Sequence, residues 1–111
     1  MAFDQELADN IIEALTIINP PDLISKKMFG GIGYMVRGNM ACGILDEKLI
    51  VRVGKEAYEK MLTRPGAGLF NSRGHAMTGW VTVDKQALME KDTLLDWVEQ
   101  GVAFSMTLPR K

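Results

Sequence analysis

Between Ile32 and Val53 three β-rich runs follow one another with almost no chain between them, and this crowding decides the fold class. The runs are Ile32 to Arg37, Met40 to Leu45 and Leu49 to Val53, rich in Val, Ile and Met. Links this short give a meander of antiparallel neighbours. Gly38-Asn39 reads as a two-residue hairpin turn, since both residue types tolerate positive φ. That register sets Arg37 opposite Met40 and Tyr34 opposite Gly43, with the phenol ring over the bare glycine. At the second turn, around Asp46-Glu47, a two-residue loop puts Leu49, Val51 and Val53 on the face of Met35, Cys42 and Ile44, and a three-residue loop inverts them. The two-residue form is expected because it leaves Ile50 and Arg52 on the opposite, more mixed face.

Helices are expected on both sides of the meander. From Phe3 the apolar residues Leu7, Ile11, Ile12, Leu15 and Ile18 recur at helical spacing, Asp4 is a candidate N-cap, and Pro20-Pro21 stops the helix near Ile18. A turn then leads to Lys26-Lys27. Gly54 to Leu62 reads as a short helix with Ala57, Tyr58, Met61 and Leu62 on its apolar side and a Glu56/Lys60 pair. The stretch from Arg64 to His75, with Pro65, Gly66, Gly68, Asn71, Ser72 and Gly74, reads as an exposed and mobile loop. Met77 to Val83 alternates as a fourth strand. Asp84 and Asp92 are candidate caps of a short and a long closing helix, the long one burying Leu94, Leu95, Val98, Val102 and Ala103 and ending by Pro109. The order α-β-β-β-α-β-α-α specifies an α+β fold in which helices pack on an antiparallel sheet, a three-stranded meander plus at least one further strand. At 111 residues the chain reads as one domain, 1–111.

Composition excludes more than it assigns. An apolar fraction of 47% and a charged fraction of 24% suit a globular domain and argue against disorder. Thirteen Lys and Arg against fourteen Asp and Glu provide no domain-wide positive field for nucleic acid or an anionic membrane. The acidic N-terminus lacks the look of a secretory signal, no apolar run is long enough for a membrane span, and a single cysteine fits a reducing compartment, so a cytoplasmic location is expected. One His and one Cys fall short of a metal site, and no cofactor is expected. Cys42 reads as a small buried hydrophobe and His75 as a solvated loop residue. Gly30-Gly31-Ile32-Gly33 leads into a strand and lacks the Lys-Ser/Thr of a P-loop, so these glycines serve backbone geometry, a positive-φ bend or a close approach beneath Phe29. Met28, Met35, Met40, Met61, Met77 and Met106 read as gap-fillers of the core, with an adaptable interface as the alternative for any exposed on the mixed face. The cations Lys26, Lys27, Arg37, Arg52, Arg64 and Arg73, with His75, form the candidate interaction surface.

Motif order adds a resemblance. Lys27-Met28-Phe29-Gly30-Gly31 is followed by Gly38-Asn39-Met40, Leu49 to Val53, Gly79-Trp80-Val81, Trp97-Val98 and a terminal Leu108-Pro109-Arg110-Lys111. From about Leu23 onward this resembles the N-terminal domain of the TfoX/Sxy competence-regulator family, in a short stand-alone form. The resemblance implies a secretion-chaperone-like α/β fold in which self-association is common, and a link to bacterial transcriptional control of DNA uptake. It makes Met28, Phe29, Gly30, Gly31, Gly79, Trp80, Leu108, Pro109 and Lys111 family-motif structural positions, and it brings no catalytic residue. The leading expectation is a non-enzymatic regulatory domain that docks on itself, as a homodimer, or on a protein partner through the mixed sheet face. One alternative is a weak nucleic-acid accessory using the basic residues. The other is a small-molecule binder or enzyme with the 64–75 loop as lid and Cys42, Arg73 and His75 as candidate residues.

Overall fold

The computed structural model describes residues 3–28, 30–72 and 74–111. Helix α1 (Gln5–Ile18) precedes strands β1 (Leu23–Met28), β2 (Gly31–Val36), β3 (Asn39–Leu45) and β4 (Lys48–Arg52). Then come helix α2 (Tyr58–Leu62), strands β5 (Ala67–Ser72) and β6 (His75–Asp84), a 3₁₀ turn at Lys85–Leu88 and helix α3 (Lys91–Met106). The six strands form one antiparallel sheet in the order β1-β2-β3-β4-β6-β5. The α+β class holds.

Helix α1 starts and stops where its caps require. The Asp4 carboxylate accepts from the Leu7 N–H at 2.8 Å, and Asn19 takes a left-handed conformation that returns its N–H to Leu15 O. Leu7, Ala8, Ile11, Ala14 and Leu15 face inward, whereas Ile12 is about half exposed. In α3 the expected Leu94, Val98 and Val102 are buried, together with Trp97, Gly101 and Ser105. Ala103 is exposed, because the helix meets the sheet through Gly101 and Ser105 and thereby turns position 103 outward. Asp92 lies in the first turn of α3, and Glu90 occupies the capping position expected of Asp92. The helix ends at Met106, ahead of Pro109.

Two strands escaped the sequence reading, and both are sheet edges. Leu23–Met28, expected as a turn, pairs with β2, and all but its last residue are exposed, so it has no buried alternation to betray it. Ala67–Ser72, expected within a mobile loop, pairs with β6, and its glycines and Asn have low strand preference. Of the described residues in the expected lid, Arg64–Gly66 and Gly74 lie in turns and the rest are strand.

The first hairpin turn is also shifted by one residue. Arg37 and Gly38 occupy it at φ 54° and 84°, so Val36 faces Asn39. The register slips between Tyr34 and Met35, with the result that Tyr34 faces Cys42, Gly43 faces Gly33, and Met35 shares the opposite face with Met40. Arg37 tolerates the left-handed turn position because its backbone oxygen accepts from Lys111 N at 3.0 Å. The second turn has two residues, as expected: Leu45 pairs with Lys48, which puts Leu49 and Val51 with Ile44 and Cys42.

Two cross-strand rows define the two faces. The row Ser25–Tyr34–Cys42–Val51–Val81–Leu69 points to the helices, and its central members are buried in one core with Leu15, Val98 and Met61. Gly101 lets α3 approach that side closely: a Cβ there would collide with the backbone oxygen of Ala41. The row Lys26–Gly33–Gly43–Ile50–Thr82–Gly68 points away. The helices pack on the first face, and among the described residues no helix covers the second.

Candidate docking surface on the uncovered sheet face

Gly33 and Gly43 lie side by side in the row on the uncovered face, and the side chains of Met28 and Met40 lie over them. Gly31 and Gly43 also sit where a side chain would run into the carbonyl oxygens of Ile44 and Ile32, so strand packing itself enforces glycine at both positions. Gly30 supplies the positive-φ bend before Gly31, at φ 80°. Beside these methionines the face holds a groove of about 440 Å³. Met28 and Met40 lean over Gly33 from one side, and Ile50 and Leu45 form its middle. Phe70, Met77 and Trp80 close the other side, the rings of Phe70 and Trp80 lying 6.3 Å apart. Nearly all of this lining is apolar, with Asn71 the polar exception at the edge.

Of the methionines expected in the core, Met61 is buried there. Met28, Met40 and Met77 instead line the groove, and Met106 is exposed. Flexible thioether side chains conform to irregular apolar partners, which suits an adaptable surface.

Trp80 separates the groove from a second recess of about 590 Å³. Its cross-strand neighbour Arg52 lies with its guanidinium carbon 5.2 Å from the Trp80 ring centre and 5.5 Å from that of Phe104. The remaining candidate cations disperse. Arg64 pairs with Asp96 at 2.6 Å and lies 5.0 Å from the Trp97 ring centre. Arg37 donates to Met106 O at 3.4 Å beside the C-terminal tail. Lys26 and Lys27 stand on opposite faces of β1, and exposed His75 opens β6. Arg73 and Phe29 lie outside the described residues. The structure thus brings Lys26 and Arg52 to one face and does not gather the six described candidates into a patch.

The tail carrying the Leu-Pro-x-Lys element is tied to the first hairpin. Buried Asn39 donates to Pro109 O at 2.9 Å. Cys42, another candidate, is fully buried, and desolvation pushes its thiol up to about 12, which disfavours a nucleophilic thiolate. Among the described residues no cluster of three or more His, Cys, Asp or Glu could hold a metal ion. No helix among them is long and apolar enough to cross a membrane.

The family model of the TfoX N-terminal domain matches residues 20–105, from just before β1 almost to the end of α3. The chain belongs to the TfoX N-terminal domain family. The match includes both edge strands, the groove residues, Arg52 and Trp80, and leaves α1 outside. No curated protein matches the chain.

The groove residues Met40, Leu45, Ile50, Phe70 and Met77 were absent from the candidate surface read from sequence. Alternate glycines at Gly31 and Gly33, followed by Gly43 in the neighbouring strand, were the available signal for the paired glycines of this face.

Proposed function

We propose that this TfoX N-terminal domain is a non-enzymatic interaction module that receives a segment of a regulatory protein on its uncovered sheet face, in keeping with the competence-regulator character of its family. The observation that carries this reading is the apolar groove of about 440 Å³ on the face away from the helices. Exposed apolar concavities of this kind favour partner binding through area removed from water. The test is affinity capture from the native source with the wild type and with Met77→Arg, which fills the groove from an exposed position without removing core. A captured regulator lost from the variant supports the reading, while equal capture by both proteins, or none by either, overturns it.

Self-association is a second reading, favoured by the exposed edge strand β1, where Leu23 and Ile24 are 39% and 56% exposed. Here the occupant is a second copy pairing along β1. Light scattering at rising concentration decides: a dimer that Ile24→Lys abolishes supports it, and a wild-type monomer throughout removes it.

A further inference from the structure

We propose that the segment received by the uncovered face is an extended acidic-apolar peptide, its apolar anchor seated in the groove between Met28, Met40, Ile50 and Trp80 and its neighbouring carboxylate bound by Arg52. This rests on the docking role proposed above and adds the chemistry of the partner.

The first argument is the state of Arg52. Arg52 has no carboxylate partner among the described residues, as is also true of Lys26, Lys27, Arg37, Lys55, Lys60 and Lys111, and it differs from these in lying beside two aromatic rings. Trp80 and Phe104 flank the guanidinium, whose planar fork of N–H donors suits a planar acceptor. A group already held in place loses little freedom on binding, and a carboxylate is the acceptor that matches its fork.

The second argument is continuity. Trp80 lines both the groove and the recess containing Arg52, so a peptide crossing the Trp80 edge meets apolar lining on one side and a cation on the other. The recess also holds Lys55, with Thr78 and Thr107 as further polar groups. Glu56 lies on its lining as well, and Arg52 and Lys55 together outweigh it.

The third argument is charge segregation. Of the fourteen acidic residues only Asp84 falls within a strand, and Lys48 lies 3.9 Å from it. The open face therefore offers Lys26, Arg52 and apolar side chains without an uncompensated strand carboxylate. A symmetric face-to-face dimer would bring two faces of the same positive sign together, which disfavours a second copy as occupant of this face. The groove also lacks the array of cations that a nucleic-acid backbone requires.

Selection of a random peptide library on immobilised wild-type protein tests the assignment. Enriched peptides are then synthesised, together with amide analogues replacing each Asp or Glu and a C-terminal amide, and titrated against wild type, Arg52→Gln and Met77→Arg. The expected result is enrichment of a large apolar residue next to a carboxylate. Binding should weaken about tenfold or more on either amide replacement of that acid or Arg52→Gln, the scale of a lost charged hydrogen bond. The amide analogues need no protein variant, so they decide the matter even if Arg52→Gln folds poorly. Peptides that need the groove, judged by Met77→Arg, but bind equally without their acids overturn the acidic assignment and leave the docking role standing. No enrichment, or binding indifferent to Met77→Arg, overturns both.

Discussion

Gly101 gives the sharpest test of how the helical layer is held on the sheet, because local preference and packing there pull in opposite directions. Gly is unfavourable inside a helix, and Gly→Ala at an exposed helical site stabilises by about 1 kcal/mol. At Gly101, however, an added Cβ would strike the backbone oxygen of Ala41 and stand 3.1 Å from its carbonyl carbon and 3.2 Å from a methyl of Val51. An unstrained carbon–oxygen contact needs about 3.3 Å or more. The obstructing atom belongs to a strand held on both sides, so α3 must withdraw by roughly 1 Å. A gap of that size forfeits a quarter to a half of the dispersion attraction of each affected contact. Leu94, Trp97, Val98 and Val102 all seat through this interface. Overpacking costs about 1–3 kcal/mol, and a rigid backbone obstacle belongs at the upper end. Set against the helix gain, Gly101→Ala should destabilise by about 2 kcal/mol, on the order of 10 °C in Tm. Gly68→Ala is the control, since a Cβ there meets only Thr82 Oγ1 at 3.4 Å, an ordinary contact. Urea unfolding of both variants checks the argument. A Gly101→Ala protein as stable as the wild type would refute close helix–sheet approach at this point.

Two titration predictions follow from opposite ends of the pH range. The side-chain bond from Lys85 first, then the Leu7 N–H, hold the Asp4 carboxyl below its usual 3.8, so its contribution to stability is present above that value and lost as pH falls through the lowered one. Thermal midpoints should drop in that acid window for the wild type and less steeply for Asp4→Asn; equal slopes would count against the link. Burial, aided by Cys42 and Asp9, pushes Tyr34 up to about 12, so the stability tied to its neutral form is present below 10.0 and lost as pH rises toward 12. Its buried hydroxyl has no hydrogen-bond partner among the described residues, and Tyr34→Phe should therefore leave stability at neutral pH unchanged or raise it by up to about 1 kcal/mol while flattening part of the alkaline loss. A clear loss at neutral pH would mean that the hydroxyl is satisfied.

Legibility from sequence tracked burial. Helix α1 was readable end to end because an amphipathic face, an N-cap and two prolines agree, and β3 and β4 because their core-facing residues alternate over a two-residue turn. Strands β1 and β5 were not, since an edge strand is specified by its pairing partner and neither has a buried period of its own. The hairpin register failed for a different reason. Gly38 tolerates positive φ on either side of a one-residue choice, and what selects Arg37-Gly38 is remote in sequence: Lys111 N bonded to Arg37 O, and Asn39 bonded to Pro109. The mixed character of the face bearing Ile50 and Arg52 was readable, but the pairing of Gly33 with Gly43 on it arises from the slipped register of that hairpin.

That dependence ties the candidate site to the fold more closely than a surface patch usually is. Had Tyr34 faced Gly43, as the alternative turn requires, its ring would have covered the glycine, and Gly33 and Gly43 would not have lain side by side. The observed slip buries Tyr34 beside Cys42, leaves Tyr34 with an unpaired hydroxyl, and leaves Gly33 and Gly43 abreast on the open side. An unsatisfied buried hydroxyl is unfavourable by about 1–3 kcal/mol, so the register must be held by other contacts. The tail bonds at Arg37 and Asn39 are local contacts able to do so. On this argument the terminal Leu-Pro-x-Lys element holds the hairpin turn at Arg37-Gly38, and the slip between Tyr34 and Met35 then sets Gly33 opposite Gly43 beneath Met28 and Met40.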